Sequence, residues 1–448
     1  MEKTITKPNT VADCKTYNAY PWSVQSTVQP LEITHAKGSF FYDASGKKWL
    51  DFSSQLVNMN MGHGHAQILQ AMKDQMDQFA FIFPGSASDV KAKLSKKLIE
   101  IAPDNMRKVF YTLSGAEANE NALKIARMVT GKHKILTHKK SYHGATYGAL
   151  SCSGDPRNHP ITGAKMPGVV HFDNPYFYRC PWDTQTPEQC GEKALENLEN
   201  TILAEGPTQI AAILIEGESG TSGCLKYPSN YWKGVIALAK KYDILTIADE
   251  VISGFGRTGE WFGVQYHQVE PDMITCAKGI TAGYFPLGAV IMSEKVATYF
   301  DHKPFPFGLT NNAQPIGLAA ALATINAMEN EGILEQSKGK GQYLKARLES
   351  LKEVHPSIGD VRTTGMLCCL ELVKDQKTKT PMAPFNATAD QMEVMNQVHQ
   401  ELKNQGIFTL VRWNWIFICP PLNMSVEELD QGLEAIDHAL NIADQAIK

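Results

Sequence analysis

Apolar and polar positions change rhythm several times along this chain of 448 residues. After an aperiodic polar stretch of about twenty residues, an aromatic run at Ser39–Tyr42, a turn at Asp43–Gly46 and a second run at Trp49–Phe52 read as a β-hairpin. Apolar residues then recur with helical spacing over Ala66–Phe79 and Asp89–Ile101. Short unbroken apolar runs follow at Lys108–Leu113, Lys134–Thr137, Gly168–His171, Ile210–Ile215, Ile244–Ala248, Met273–Ala277 and Leu287–Met292. Unbroken runs of this length mark strands covered on both faces. Helical segments such as Gly115–Val129, Pro187–Ala204 and Asn230–Lys241 separate most of them. The alternation predicts an α/β fold with a mostly parallel sheet between helices.

After about Asn330 the order changes. A long helix (Leu334–Leu351), strands at Val361 and Leu367–Leu372, a helix at Asp390–Gln405, a strand pair around Phe408–Leu410 and Ile416–Cys419, and a last helix from Val426 predict a smaller α+β domain. The length suits two or three domains.

Composition narrows the function classes. A formal net charge of −4 offers no electrostatic reason to bind nucleic acid or an anionic membrane. Nine cysteines, an odd number with no C-x-x-C pair, read as reduced thiols and hence a cytoplasmic setting. The opening residues (Met1 to Lys7) lack the apolar core of a signal peptide, and no apolar run is long enough to span a membrane.

Chemistry is suggested by two strand ends. Asp249 closes the run Ile244–Ala248, where open α/β sheets place their ligands. Lys278 closes another run twenty-nine positions later, and burial there would lower its pKa and free its amine to form an imine. Taken singly, the first could be a helix cap and the second a snorkelling surface lysine. Together they suggest a cofactor carrying both an aldehyde and a basic ring nitrogen, which pyridoxal phosphate does. Ser114, Gly115 and Ala116, between a strand and a helix, would offer backbone N–H groups to its phosphate, or else form an ordinary cap with Glu117. Gly254-Phe-Gly-Arg-Thr-Gly259 fits the G-x-G-x-x-G pattern, but Asp249–Ser253 separates it from its strand and no helix start follows. Gly217–Thr221 misses the nucleophile elbow at its last position, and His63 and His65 are too close to form a helical metal pair, so no metal site is expected.

These residues together resemble the class III (omega) aminotransferases, a branch of the fold-type I pyridoxal-phosphate enzymes. The likeness runs from about Pro30 onward through Ser114-Gly-Ala-Glu-Ala-Asn119, Tyr142-His-Gly144, Glu216, Asp249-Glu-Val251, Gly254–Gly259, Lys278-Gly279, Thr310, and Arg412 with Pro420-Pro-Leu422. The resemblance implies a large cofactor domain (66–330) and a small domain (331–448) joined by the N-terminal segment (1–65). It also implies roles for individual residues: Lys278 holding the cofactor and moving the proton, Asp249 keeping the ring nitrogen protonated, and Tyr142 and Val251 on the two ring faces. Ser114, Gly115 and Ala116 would bind the phosphate, with Thr310 contributed by the second copy of a homodimer (or tetramer). Glu216 would lie near the ring hydroxyl, and Arg412 would grip the carboxylate of an α-oxo acid. Two departures stand out, Gly217 where the family usually has proline and Ile252 where some members carry glutamine.

Tyr20-Pro-Trp22 and Asn174–Pro181 are most similar to the taurine transaminases. The resemblance thus implies taurine as amino donor, giving sulfoacetaldehyde, with 2-oxoglutarate ahead of pyruvate as acceptor and Trp22 as a pocket wall. β-Alanine, 4-aminobutyrate or a diamine such as putrescine are the alternative donors. Racemases, aminomutases and decarboxylases share the cofactor motifs, while a nicotinamide oxidoreductase or a non-catalytic scaffold fits the residues less well.

Overall fold

A computed structural model describes residues 9–447 of the chain; the first seven residues, read above for a leader, lie outside that range. The seven apolar runs form one seven-stranded sheet in the order Met106–Thr112, Gly288–Ser293, Met273–Cys276, Leu245–Asp249, Ile210–Glu216, Lys134–His138, Val169–Phe172. Every adjacent pair is parallel except those made by Gly288–Ser293, which runs antiparallel to both neighbours. Ile210–Glu216, Leu245–Asp249 and Met273–Cys276 are buried along their whole length, which is why their runs lack alternation. The register sets Glu216 beside Asp249 and Asp249 beside Thr275, so two acids and the Lys278 turn gather at the carboxyl ends of three adjacent strands.

Helices flank the sheet where the pattern placed them, with Asp89–Ile101, Gly115–Thr130 and Pro187–Glu205 packing apolar faces inward. One long helix, Pro315–Asn330, has no counterpart in the sequence reading. It is buried nearly all round and rich in alanine, so its apolar residues show no stripe. It packs against Ala66–Gln78 and Asp89–Ile101.

The C-terminal region folds as expected in outline: Ile333–Val354, strands Ile358–Thr364 and Leu367–Asp375, helix Glu393–Asn404, and a final helix Val426–Asp444 opened by a Ser425/Glu428 capping box. The expected strand pair needs correction. Ile407–Phe408 does not pair with Ile416–Cys419 but joins the N-terminal hairpin, parallel to Leu50–Asp51. The partner of Trp415–Ile418 is Val411–Arg412, which puts Arg412 on a short strand of the small domain.

Arg257, from the glycine motif, ties these parts together. It is fully buried and donates to the carbonyls of Met366 and Pro420, to Ser54 Oγ and to Asn60 Oδ1. The motif is therefore a structural turn whose arginine serves the N-terminal segment and the small domain at once. No helix among the described residues is long and apolar enough to cross a membrane.

Candidate active site

The strand ends open on a cavity of about 480 Å³ whose wall includes Ser114, Gly115, Ala116, Tyr142, Glu216, Asp249, Val251 and Lys278. These residues come from five separate stretches of sequence.

Asp249 is buried, and both its oxygens are held. Asn119 Nδ2 (2.7 Å) and His143 Nδ1 (2.8 Å) reach Oδ2, and the Val251 N–H reaches Oδ1 at 3.0 Å. Thr275 in turn donates to Asn119 Oδ1 at 2.6 Å, and Thr137 Oγ1 lies 3.2 Å from His143 Nε2. Such a chain of donors fixes the direction of the carboxylate. Asn119 and His143 lie inside the motifs quoted above, but the sequence gives no sign that they meet on Asp249.

Lys278 follows its strand in a left-handed conformation (φ 47°). Enclosure lowers its amine to about 8, against the pull of Asp249 and Glu216. Glu216 moves the other way: burial first, and then Asp249 beside it, raise its carboxyl to about 8. Its Oε2 has no hydrogen-bond partner and neither does Ser219 Oγ, so this side of the cavity keeps unused polar capacity.

Ser114 does cap the helix Gly115–Thr130, accepting from the Glu117 N–H, while Glu117 returns to the Leu113 N–H at 2.8 Å. The cap and the anion site coexist, because the N–H groups of Gly115 and Ala116 precede any carbonyl the helix could offer them. At position 115 a Cβ would lie 2.6 Å from Val251 Cγ2, so only glycine lets these two walls close on a flat ring and its phosphate.

Gly217 now has a reason. A Cβ there would sit 2.2 Å from Glu250 Oε1, and its N–H donates to the Asp249 carbonyl, which proline cannot do. Ile252 lines the cavity and packs with Cys224, Trp413 and Trp415.

The remaining predicted residues lie apart from the cavity wall. Thr310 is exposed. Arg412 is ion-paired to Asp155 at 2.7 Å. Trp22 is 61% exposed, with the Arg157 guanidinium 5.5 Å from its ring. Arg157, which the sequence reading did not single out, links Trp22 and, through Asp155, Arg412 to the cavity. It lies 3.6 Å over the Tyr142 ring and grips Asp155 through Nε and Nη2. Among the described residues, no group of three or more His, Cys, Asp or Glu is placed to hold a metal.

The donor set suits pyridoxal phosphate: an enclosed amine of lowered pKa, a fixed carboxylate, a helix start whose first N–H groups have no helical acceptor, and an acid with one unpartnered oxygen. Comparison with known proteins agrees. The family model for class-III aminotransferases matches residues 22–440. The crystal structure of taurine:2-oxoglutarate aminotransferase from Bifidobacterium kashiwanohense, in complex with PLP and glutamate, superposes with a TM-score of 0.94 at 38% identity, covering 97% of this chain and 98% of that one. Putrescine–pyruvate aminotransferase of Pseudomonas aeruginosa is 37% identical over 78% of each chain. Hypotaurine/taurine–pyruvate aminotransferase of Paracoccus denitrificans is 34% identical over 92% of each. A fixed acid and an enclosed lysine at neighbouring strand ends, within a match that spans nearly the whole chain, identify this protein as a member of the class III, pyridoxal-phosphate-dependent omega-aminotransferases.

Proposed function

We propose that this aminotransferase takes the terminal amino group of taurine, releasing sulfoacetaldehyde, and passes it to an α-oxo acid, with 2-oxoglutarate ahead of pyruvate. The observation that carries this reading is the pair of guanidiniums, Arg157 and Arg412, gathered on Asp155 beside Tyr142. A sulfonate and a carboxylate are both multi-oxygen anions that such forks bind well. The relatives named for taurine support the choice of donor.

In this reading pyridoxal phosphate supplies an aldehyde and an electron-withdrawing ring. Lys278, its amine lowered to about 8, would hold the aldehyde and would serve as the base that moves a proton at the donor carbon. Asp249, held by Asn119 and His143, keeps the ring nitrogen protonated. Tyr142 and Val251 enclose the ring, and Ser114, Gly115 and Ala116 receive the phosphate. Glu216, neutral below about pH 8, donates toward the ring hydroxyl. Thr310, exposed and away from this chain's own cavity, would reach the phosphate of a second copy in a homodimer. Trp22 would complete the donor pocket around Arg157. The nine cysteines are all free thiols, which supports a reducing, cytoplasmic setting.

A diamine donor is the second reading, favoured by the relative named for putrescine and by Glu218, a buried acid in the cavity wall. Its carboxylate is already engaged, however, by the Tyr227 N–H (3.2 Å) and Thr364 Oγ1 (3.3 Å). The test is the absorbance of the loaded enzyme before and after each amine. Taurine should bleach the visible band, and the Lys278→Ala variant should fail to complete that change. A band that responds to putrescine or 4-aminobutyrate far faster than to taurine would transfer the proposal to those donors.

A further inference from the structure

Asp155 stands between the two arginines and is itself almost fully buried (4% exposed). It caps the 3-10 turn Pro156–Ala164, where Oδ1 accepts from the Arg157 N–H (2.9 Å) and from Arg157 Nε (2.8 Å). Oδ2 accepts from Arg157 Nη2 at 3.2 Å and faces Arg412 Nη2 at 2.7 Å. One carboxylate thus occupies the donor faces of two guanidiniums that reach it from different domains. Burial works to raise the Asp155 carboxyl, but the Arg157 hydrogen bond, with Arg412 behind it, outweighs burial and holds it below the usual carboxylate range. Asp155 is therefore charged wherever the enzyme works, and no other anion among the described residues pairs with Arg412.

This arrangement does more than fix two side chains. Arg157 and Arg412 bring two positive charges and Asp155 removes one, which leaves the group with a single surplus charge. A substrate with one anionic group balances it. A dianion overshoots by one charge and can engage Arg412 only by taking Asp155's place. We propose that Asp155 is a resident counter-ion that stands where a substrate anion will stand, and that it limits the advantage this enzyme gives dianionic over monoanionic substrates. The inference rests on the assignment of Arg157 and Arg412 to substrate anions made above, and it adds the residue that limits them. A repulsion between like charges about 5 Å apart, even in a partly wetted site, is large enough to shift binding by about tenfold when one charge is removed.

The experiment uses the cofactor-loaded enzyme and two inert ligands, glutarate as the dianion and 2-hydroxyethanesulfonate as the monoanion, with affinities measured by calorimetry at fixed salt. Asp155→Asn and Asp155→Ser both remove the charge and keep an oxygen to cap the turn, and the visible absorbance of the bound cofactor reports that each has folded. The glutarate-to-sulfonate affinity ratio should rise by at least tenfold in both variants, and the kcat/KM ratio of 2-oxoglutarate to pyruvate should follow it. An unchanged ratio in folded variants, with both ligands gaining or losing equally, overturns the inference. Arg412→Lys separates the two levels of the argument. If it weakens glutarate while the Asp155 variants leave the ratio unmoved, only the role of Asp155 fails. If it leaves both ligands unaffected, the assignment of Arg412 fails and the inference falls with it.

Discussion

Replacing Lys278 by methionine should stabilise the protein when the cofactor is absent, and should do so in a pH-dependent way. Methionine is close to lysine in volume and carries no charge. The folded enzyme holds the Lys278 amine at about 8, whereas the unfolded chain holds it at the ordinary 10.5. Below pH 8 the group is protonated in both states, so the folded protein bears the full cost of enclosing an ammonium. Between the two values the unfolded chain binds the extra proton, and raising the pH therefore stabilises the wild-type fold until the difference vanishes near 10.5. A separation of this size corresponds to about 3 kcal/mol at its ceiling. Lys278 retains part of its surface toward the cavity, and water there screens it, so roughly 1–3 kcal/mol is the expected gain. Glu216 does not cancel the effect, because it is neutral below about pH 8 in the wild type, and removing a nearby cation raises it further. The measurement is urea unfolding of cofactor-free protein at fixed concentration, from pH 6.5 to 9.5. The variant should be more stable at pH 7, and the gap should close as the pH rises above 8. A variant that is less stable at pH 7, or a gap that stays constant with pH, would refute the account of Lys278 as an amine enclosed at a cost.

Three further outcomes follow from contacts described above. Asn119→Ala removes the 2.7 Å bond to Asp249 and should slow the half-reaction with donor by about 10–100-fold in stopped-flow spectra, at a stability cost of about 1–3 kcal/mol for the buried partners it leaves. Gly115→Ala forces a Cβ to within 2.6 Å of Val251 Cγ2; it should weaken cofactor binding by tenfold or more, read by titrating cofactor-free protein, at a stability cost of about 1–3 kcal/mol. Arg257→Ala strips donors from four buried acceptors and should destabilise the fold by at least about 3 kcal/mol in urea, while Arg257→Lys restores only part.

What the sequence discloses divides along physical lines. Unbroken apolar runs between amphipathic helices are local signals, and they place all seven strands of the large sheet. Pro315–Asn330 is hidden because a helix buried on every side has no polar face to set a period. The pairing of Ile407–Phe408 with Leu50–Asp51 is hidden because register between distant strands leaves no local trace. Within the site, Lys278 and Asp249 stand out because such residues are unusual at the ends of buried strands. Asn119, His143 and Arg157 do not, since their meaning comes from contacts more than a hundred positions away, or from the ring beneath them. Gly217 reads as a departure until Glu250 is seen beside it.

The parallel pairing of Ile407–Phe408 with Leu50–Asp51 also bears on how the protein is made. Ile407 follows Leu50 by 357 positions, so a ribosome adding about 5–20 residues per second leaves the N-terminal hairpin without its fourth strand for roughly 20–70 s. The large sheet draws all its strands from 106–293 and emerges complete well before that moment. During this interval Leu50 and Phe52, buried in the finished protein, have neither the last strand nor the Arg257 clamp's C-terminal acceptors to cover them. The exposed hairpin edge of the nascent chain is where a chaperone would be expected to engage, and where aggregation would begin if synthesis stalled short of residue 407.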